Sequence, residues 1–340
     1  MTATLAGTTE PLQAHYDALL LDLDGTLHRG PDPVAGAAEA MTAARAAGRR
    51  LAFVTNNASR TPNQVVLHLL GVGITADEGE VLTSAQAGAR ALARLVPPGS
   101  AVLVVGGDGL TAAVVAEGLR PVGSAADEPA GVVQGWFGGL SWPVLAEGAY
   151  ALATGVPWVA TNVDLTLPTS RGVAPGNGSF VRLLAGVSGR EPDVVAGKPG
   201  PLMLLEAAGA DGRKALVVGD RLDTDIAGAV AAGLDSLLVL TGVTDVAGLL
   251  AAEPHQRPTY VSRDLTGLTE IHPWVAADGA DAWSCNEARV VWNGGVLSAA
   301  DVGEPDDLLR ALCVAVWSCA GSGRSASVDD AALAAVQAAD

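Results

Sequence analysis

The sequence predicts an α/β protein with three parts: a core built on a parallel sheet, a large inserted α/β domain and a small α+β extension at the C-terminal end. Three observations predict it. Short apolar runs repeatedly end in polar residues or glycine and are separated by Ala-rich helical stretches, as expected of buried parallel strands alternating with helices. A stretch of roughly 100 residues in the middle interrupts this pattern with a βα rhythm of its own, which makes it a domain rather than a loop. Residues beyond about 275 follow neither pattern. The chain has 340 residues, of which 49% are apolar, enough for two domains and a third small one with packed cores.

The first element carries the most information. In Leu20-Leu21-Asp22-Leu23-Asp24-Gly25-Thr26-Leu27, an apolar run ends in two aspartates spaced i, i+2, followed by glycine and threonine. This pattern predicts a buried strand that delivers two carboxylates to an open sheet edge, with Gly25 turning the chain away. In an open α/β sheet that edge is where ligands bind. Two carboxylates this close repel, so a cation, a shared proton or both should compensate.

Residues 34–48 predict an Ala-rich helix with Gly48 at its C-terminal end. Leu51-Ala52-Phe53-Val54 forms the next strand and leads into Thr55-Asn56-Asn57. Thr61-Pro62 opens a second helix, the threonine as N-cap and the proline in the first turn. Val81-Leu82-Thr83-Ser84 reads as a third short strand. The first part of the core thus spans residues 15–85, and the inserted domain spans 86–192, with strands expected at 101–106, 132–134 and 158–161. Gly106-Gly107-Asp108-Gly109 reads as a tight βα turn, because its glycine fingerprint is incomplete for a phosphate cradle. The core resumes over 193–270. Val194-Val195-Ala196-Gly197 leads into Lys198-Pro199, expected in a loop before a helix. Ala215-Leu216-Val217-Val218-Gly219 leads into Asp220, with Asp223 and Asp225 following, and Leu237-Leu238-Val239-Leu240 is expected to be the last main strand. Within residues 275–340, the stretches 283–292, 306–317 and 328–339 suggest a strand pair and two helices, for dimerisation, support of the inserted domain or a separate binding function, and a homo-oligomer is compatible with them.

Taken in order, these segments resemble the four motifs of the haloacid dehalogenase (HAD) superfamily of phosphatases: DxDGT, then T, then K, then GDxxxTD. The resemblance covers roughly residues 15–265 and implies a Rossmann-like core. An α/β cap placed between the threonine and lysine motifs implies the nitrophenylphosphatase-like and phosphoglycolate phosphatase-like subgroup. It implies Asp22 as nucleophile, forming an aspartyl phosphate, and Asp24 as the acid and base that serves the leaving alkoxide and then water. An isolated Asp titrates near about 3.9, so a proton on Asp24 would need the Asp22 charge and partial burial. The resemblance further implies Mg²⁺ held by the Asp22 side chain, the Asp24 backbone carbonyl and the Asp220 side chain, with Asp225 behind them holding a bound water or Lys198. Thr55 and the N–H groups of Asn56 and Asn57 would bind phosphoryl oxygens, and Lys198 would neutralise their charge. Asp223 falls at a variable position and takes no role.

Thr161-Asn162-Val163-Asp164, Pro168 and Pro175-Gly176-Asn177-Gly178-Ser179 match the cap signature TNxD…P…PGxGS of this subgroup, in which Asn162 and Asp164 either build the loop or reach substrate. Pyridoxal phosphate-specific members carry a histidine where this chain has Leu167, which weakens that substrate. The combination of NNASR, TSAQ, NVDLTLPT, PGNGS and GDRLDTDIAGA with a C-terminal extension is similar to actinobacterial members that act on glycerol 3-phosphate. That implies this small phosphorylated metabolite as substrate and a part in recycling glycerophospholipid polar heads. Alternatives are phosphoglycolate or another small ester, phosphotransfer between sugar positions, and a non-catalytic regulator.

Composition narrows the partners. Lys plus Arg number 20 against 37 Asp plus Glu, a net charge of −17, which argues against nucleic-acid or anionic-membrane binding. An anionic substrate must then be captured locally, with Lys198, Arg221, helix N-termini and a metal ion as candidates. No signal peptide or transmembrane run is expected, and Cys285, Cys313 and Cys319 form no metal-ligand pair, so a cytoplasmic protein with free thiols is expected. The histidines, His28 among them, are scattered and expected to be structural or on the surface.

Overall fold

The computed structural model describes residues 5–169 and 171–337. It divides into two compact units: Met1–Arg29, Pro33–Leu51 and Asp211–Asp340 form the first, Gly30–Asp32 and Ala52–Ala210 the second.

In the first unit, four parallel strands lie side by side in the order Tyr260–Ser262, Asp235–Val239, Ala215–Gly219, Ala18–Leu21. Their apolar runs are continuous because both faces are covered: every residue of Ala18–Leu21 is fully buried. Tyr260–Ser262 pairs beyond the strand expected to be the last, so the parallel set runs one strand further than the sequence suggests. The helix predicted over 34–48 spans Ala37–Ala46 and buries Ala37, Ala40, Met41 and Ala44, a stripe at helical spacing. Gly48 follows its C-cap with φ 75°, the left-handed turn that ends it.

The C-terminal segment belongs to this unit. It forms a five-stranded sheet in chain order, from Ala276–Ala277 to Ser327–Val328, rather than a strand pair. Ala282–Cys285, Ala288–Asn293 and Val296–Asp301 are antiparallel neighbours. Helix Pro305–Gly321 packs on it, and a second helix follows at Asp330–Gln337; residues 338 and 339 of the predicted 328–339 helix lie outside the described residues. One apolar cluster joins Trp283, Leu308, Leu312, Val314 and Trp317 to Leu238, Val246, Leu249 and Val261. Arg310 donates to the Val261 carbonyl at 3.3 Å and to Asp307 at 3.0 Å, tying helix to strand. All three cysteines are free and buried; burial is the main cause that pushes the Cys285 thiol up to about 12. Among the described residues no helix is long and apolar enough to cross a membrane.

In the second unit, Arg50–Thr55, entered at residue 52, pairs in parallel with Val81–Thr83. A separate five-stranded parallel sheet has the order Val194–Val195, Trp158–Ala160, Val132–Gln134, Ala101–Val105, Arg120–Val122. The short strand before Lys198 is thus paired with Trp158–Ala160. The predicted cap at Thr61-Pro62 forms: Thr61 accepts the Gln64 N–H, and the Gln64 side chain accepts the Thr61 N–H. Gly106-Gly107-Asp108-Gly109 is the turn into helix Asp108–Ala116, with Gly107 as its N-cap.

Candidate active site

In the first unit, three carboxylates meet, two from strand ends and one from the turn that follows the second strand. Asp22, Asp220 and Asp225 each present an oxygen within 4.8 Å of the others, Asp220 and Asp225 buried and Asp22 half-buried. Asp22 leaves strand Ala18–Leu21 with its N–H bonded to the Val218 carbonyl at 2.9 Å, which sets it beside the strand that ends in Asp220. After Asp220 the chain makes a wide π-helical turn, Leu222–Ile226. This turn brings Asp225 back, so that its carboxylate accepts the Arg221 N–H at 3.1 Å. Three hard oxygen donors so close, with no thiolate or imidazole among them, suit a small divalent cation such as Mg²⁺ and repel one another without it. The sequence placed Asp225 behind the metal ligands; the structure puts its carboxylate in the same group as theirs.

A loop invisible to motif reading encloses Asp220. The Val243 N–H donates to its carboxylate at 2.7 Å and the Thr244 N–H to its carbonyl at 3.2 Å. Thr241 donates its hydroxyl to the Gly25 carbonyl at 2.6 Å, and the Arg29 guanidinium donates to the Thr241 carbonyl at 2.5 Å. Gly25 and Gly242 both lie against the Asp220 carboxylate, where an added Cβ would fall 2.6 Å or less from its carbon. Gly25 also takes φ 93°, so the turn after Asp24 demands glycine twice over.

Asp24 stands apart from the carboxylate group. Its side chain is 60% exposed, and its oxygen lies 3.2 Å from Nδ1 of His28, whose own side chain is 1% exposed. Less of Asp24 is covered than the sequence suggests, and its neighbour is the buried histidine four residues on. The turn that joins them is closed by the Gly25 N–H donating to the His28 carbonyl at 2.7 Å. Arg221, a candidate for anion capture, forms a two-bond pair with the exposed Asp223 at 3.0 and 2.7 Å.

In the second unit, Thr55 ends its strand buried, and its hydroxyl oxygen accepts the Asn57 N–H at 3.1 Å. That bond uses a lone pair and leaves the hydroxyl proton available to a ligand. The Asn57 side chain accepts from Ser59 and Arg60 and shapes the loop. Lys198 is 2% exposed and donates from Nζ to the Val54 carbonyl at 3.1 Å. It precedes helix Leu202–Ala208, the loop position that the sequence predicts. Asn56 is the centre of this group. Its Oδ1 accepts the Lys198 N–H and its Nδ2 donates to the Lys198 carbonyl, both at 2.9 Å. Nδ2 also reaches the Asp164 carboxylate at 3.1 and 3.2 Å. Asn162 donates to the Asn56 carbonyl at 2.7 Å, so both signature residues of the Thr161–Asp164 turn meet Asn56. The sequence marked these residues but not this convergence.

The family model described as haloacid dehalogenase-like hydrolase matches residues 19–120, and a second, HAD-hydrolase-like model matches residues 195–268. The D-glycerol 3-phosphate phosphatase of Mycobacterium tuberculosis is 46% identical over 312 residues, covering 89% of this chain and 86% of that protein. A 5′-nucleotidase of Bacillus subtilis is 36% identical over 263 residues, 76% of this chain and 99% of its own length. Among solved structures, a glycerol phosphate phosphatase from Mycobacterium tuberculosis in complex with magnesium superposes with a TM-score of 0.85 at 42% identity, covering 97% of this chain and 98% of the other. With its four motifs in order and relatives of this identity along most of its length, the chain belongs to the haloacid dehalogenase-like hydrolases.

Proposed function

We propose that this protein is a Mg²⁺-dependent phosphate monoester hydrolase that works through an aspartyl phosphate on Asp22, with glycerol 3-phosphate as its substrate. The observation that carries the reading is the meeting of Asp22 and Asp220, each just past the carboxyl end of a parallel strand, with Asp225 from the turn beyond, a set of hard oxygen donors that suits a divalent cation and includes the first aspartate of DxDGT. The carboxylates of Asp22 and Asp220 and the carbonyl of Asp24 would hold Mg²⁺, with Asp225 adding its charge beside them; the ion would offset the negative charge of the ester. A carboxylate oxygen of Asp22 bonds to phosphorus as the bond to the leaving oxygen breaks, and Asp24 gives that alkoxide its proton. Asp24 then takes a proton from the water that attacks the aspartyl phosphate, releasing inorganic phosphate and restoring Asp22. The Thr55 hydroxyl and the Asn56 N–H are assigned to phosphoryl oxygens. Asn57, whose N–H is engaged, contributes by orienting Thr55. Lys198 neutralises the charge that builds on the phosphoryl group.

Residues 86–192 are proposed as the cap that selects the ester. The test is a panel of glycerol 3-phosphate, phosphoglycolate, pyridoxal phosphate, nucleoside monophosphates and a hexose phosphate, with purified protein and Mg²⁺. Glycerol 3-phosphate should give the highest kcat/KM. A clear preference for another ester would overturn the substrate, an isomerised sugar phosphate would indicate phosphotransfer, and no turnover would leave a regulator.

The loop around Asp220 makes a separate prediction. In Gly242→Ala the new methyl group would overlap the Asp220 carboxylate. Overpacking of this kind costs about 1–3 kcal/mol, so Mg²⁺ affinity measured by calorimetry should fall roughly tenfold or more. Unchanged affinity would mean that the loop does not orient Asp220.

A further inference from the structure

We propose that Asp164 and the side chain of Asn56 are positioning residues for Lys198: Asn56 fixes the lysine backbone, and Asp164 fixes Asn56. The inference rests on the role assigned to Lys198 above. Asn56 meets Lys198 as a strand neighbour would, accepting its N–H and donating to its carbonyl, each at 2.9 Å. An asparagine amide has two N–H hydrogens and one carbonyl oxygen. Here one hydrogen goes to Lys198, the other to Asp164, and the oxygen takes the Lys198 N–H. Turning the amide over would set donor against donor at the Lys198 N–H and acceptor against acceptor at its carbonyl and at Asp164, so the orientation is determined by three partners. With both hydrogens committed, the side chain has none left to donate to a phosphoryl oxygen.

The main chain of Asn56 is held as firmly. Its carbonyl accepts from Asn162 at 2.7 Å and from the Ser84 hydroxyl at 2.6 Å. Asn162 also accepts the Asp164 N–H at 3.2 Å, which closes the turn that presents the Asp164 carboxylate. The stem of Lys198 is buried, so a shift of its backbone must carry the ammonium with it. The turn Thr161–Asp164, in the segment assigned to substrate choice, therefore determines where the lysine charge sits. A misplacement of about 1 Å at a reacting group can cost on the order of 100-fold in rate. Charge neutralisation at the transition state should register in kcat more than in KM.

The test uses the full-length protein, an aryl phosphate with a good leaving group and single-turnover conditions, so that slow variants remain measurable. Asn56→Ala should lower kcat by about 10- to 100-fold with KM within about threefold. Asp164→Ala should lower kcat by about tenfold, whereas Asp164→Asn, whose amide oxygen still accepts from Asn56, should stay within about threefold of the parent. Combined with Lys198→Ala, neither Asn56→Ala nor Asp164→Ala should slow the reaction further, because a residue that acts through the lysine has nothing left to position. Losses that multiply with Lys198→Ala, a parent-like kcat in Asp164→Ala, or an effect of Asp164→Ala confined to KM would overturn the proposal. If Asn56→Ala fails to fold, the two Asp164 variants decide the matter. Full turnover in Lys198→Ala would overturn the role given to the lysine itself, an outcome distinct from a slow Lys198→Ala beside unaffected Asn56 and Asp164 variants.

Discussion

Asp22→Asn should lower turnover by at least three orders of magnitude, about 4 kcal/mol in barrier, while the protein stays folded. An amide nitrogen or oxygen does not replace a carboxylate as nucleophile toward phosphorus, and no other carboxylate occupies the first position of DxDGT. The substitution also removes one of three mutually repelling charges, so the metal-free protein should be at least as stable as the parent. Phosphate labelling of the acid-quenched enzyme and thermal unfolding without metal read the two effects separately. More than a few per cent of parental turnover, after deamidation is excluded, would refute covalent catalysis at Asp22; a large fall in metal-free stability would contradict the reading of the carboxylate group as a site under repulsion.

Trp317→Ala should destabilise the first unit by about 3–5 kcal/mol, a large part of the roughly 5–15 kcal/mol that separates folded from unfolded domains. Trp317 is 1% exposed and belongs to the apolar cluster that also holds Leu238 and Val261. Deleting everything after residue 269 should be more severe. It would strip Leu308, Leu312, Trp317 and the Arg310 bond to Val261 from strands of the parallel sheet, and the exposed surface should make the remaining chain insoluble. Urea unfolding of the point variant and solubility of the truncation are the measurements. A soluble, cooperatively unfolding truncation would show that the parallel sheet does not depend on the segment. The sequence suggested an appendage outside the core; in the structure this segment supplies part of the covering of the core.

What the sequence revealed and what it hid have physical reasons. Ala18–Leu21 and Ala215–Gly219 were legible because strands covered on both faces must be apolar throughout, and the polar residue that ends each run marks the sheet edge. Asp22 and Asp220 followed from that punctuation, whereas Asp225 was marked only by its place in the motif GDxxxTD. Tyr260–Ser262 is three residues long and ends in serine, too brief for any periodicity. The enclosure of Asp220 by the Val243 and Thr244 N–H groups is made by backbone, which carries no residue-type signal. The bonds of Asn56 to Lys198 span 142 residues of sequence, and no spacing rule reaches that far. His28 read as one scattered histidine because the turn that places it beside Asp24 depends on hydrogen bonds formed only in the fold.

The division of the chain has a consequence for its synthesis. The second unit is nearly continuous in sequence, whereas the first is assembled from segments on either side of it. The Tyr16 hydroxyl finds its partner Asp235 only 219 residues later, and the N–H of His272 meets the Thr8 hydroxyl across 264. At roughly 5–20 residues per second on the ribosome, the apolar strand Ala18–Leu21 waits on the order of ten seconds or more before Ala215–Gly219 emerges to pair with it. The inserted unit can close in that interval, and once folded it shortens the loop that the outer segments must span, lowering the entropy of closure. Nascent chains halted just before Ala215–Gly219 emerges should therefore already protect residues 52–210 from protease, making the unit that was inserted into the fold the first to form.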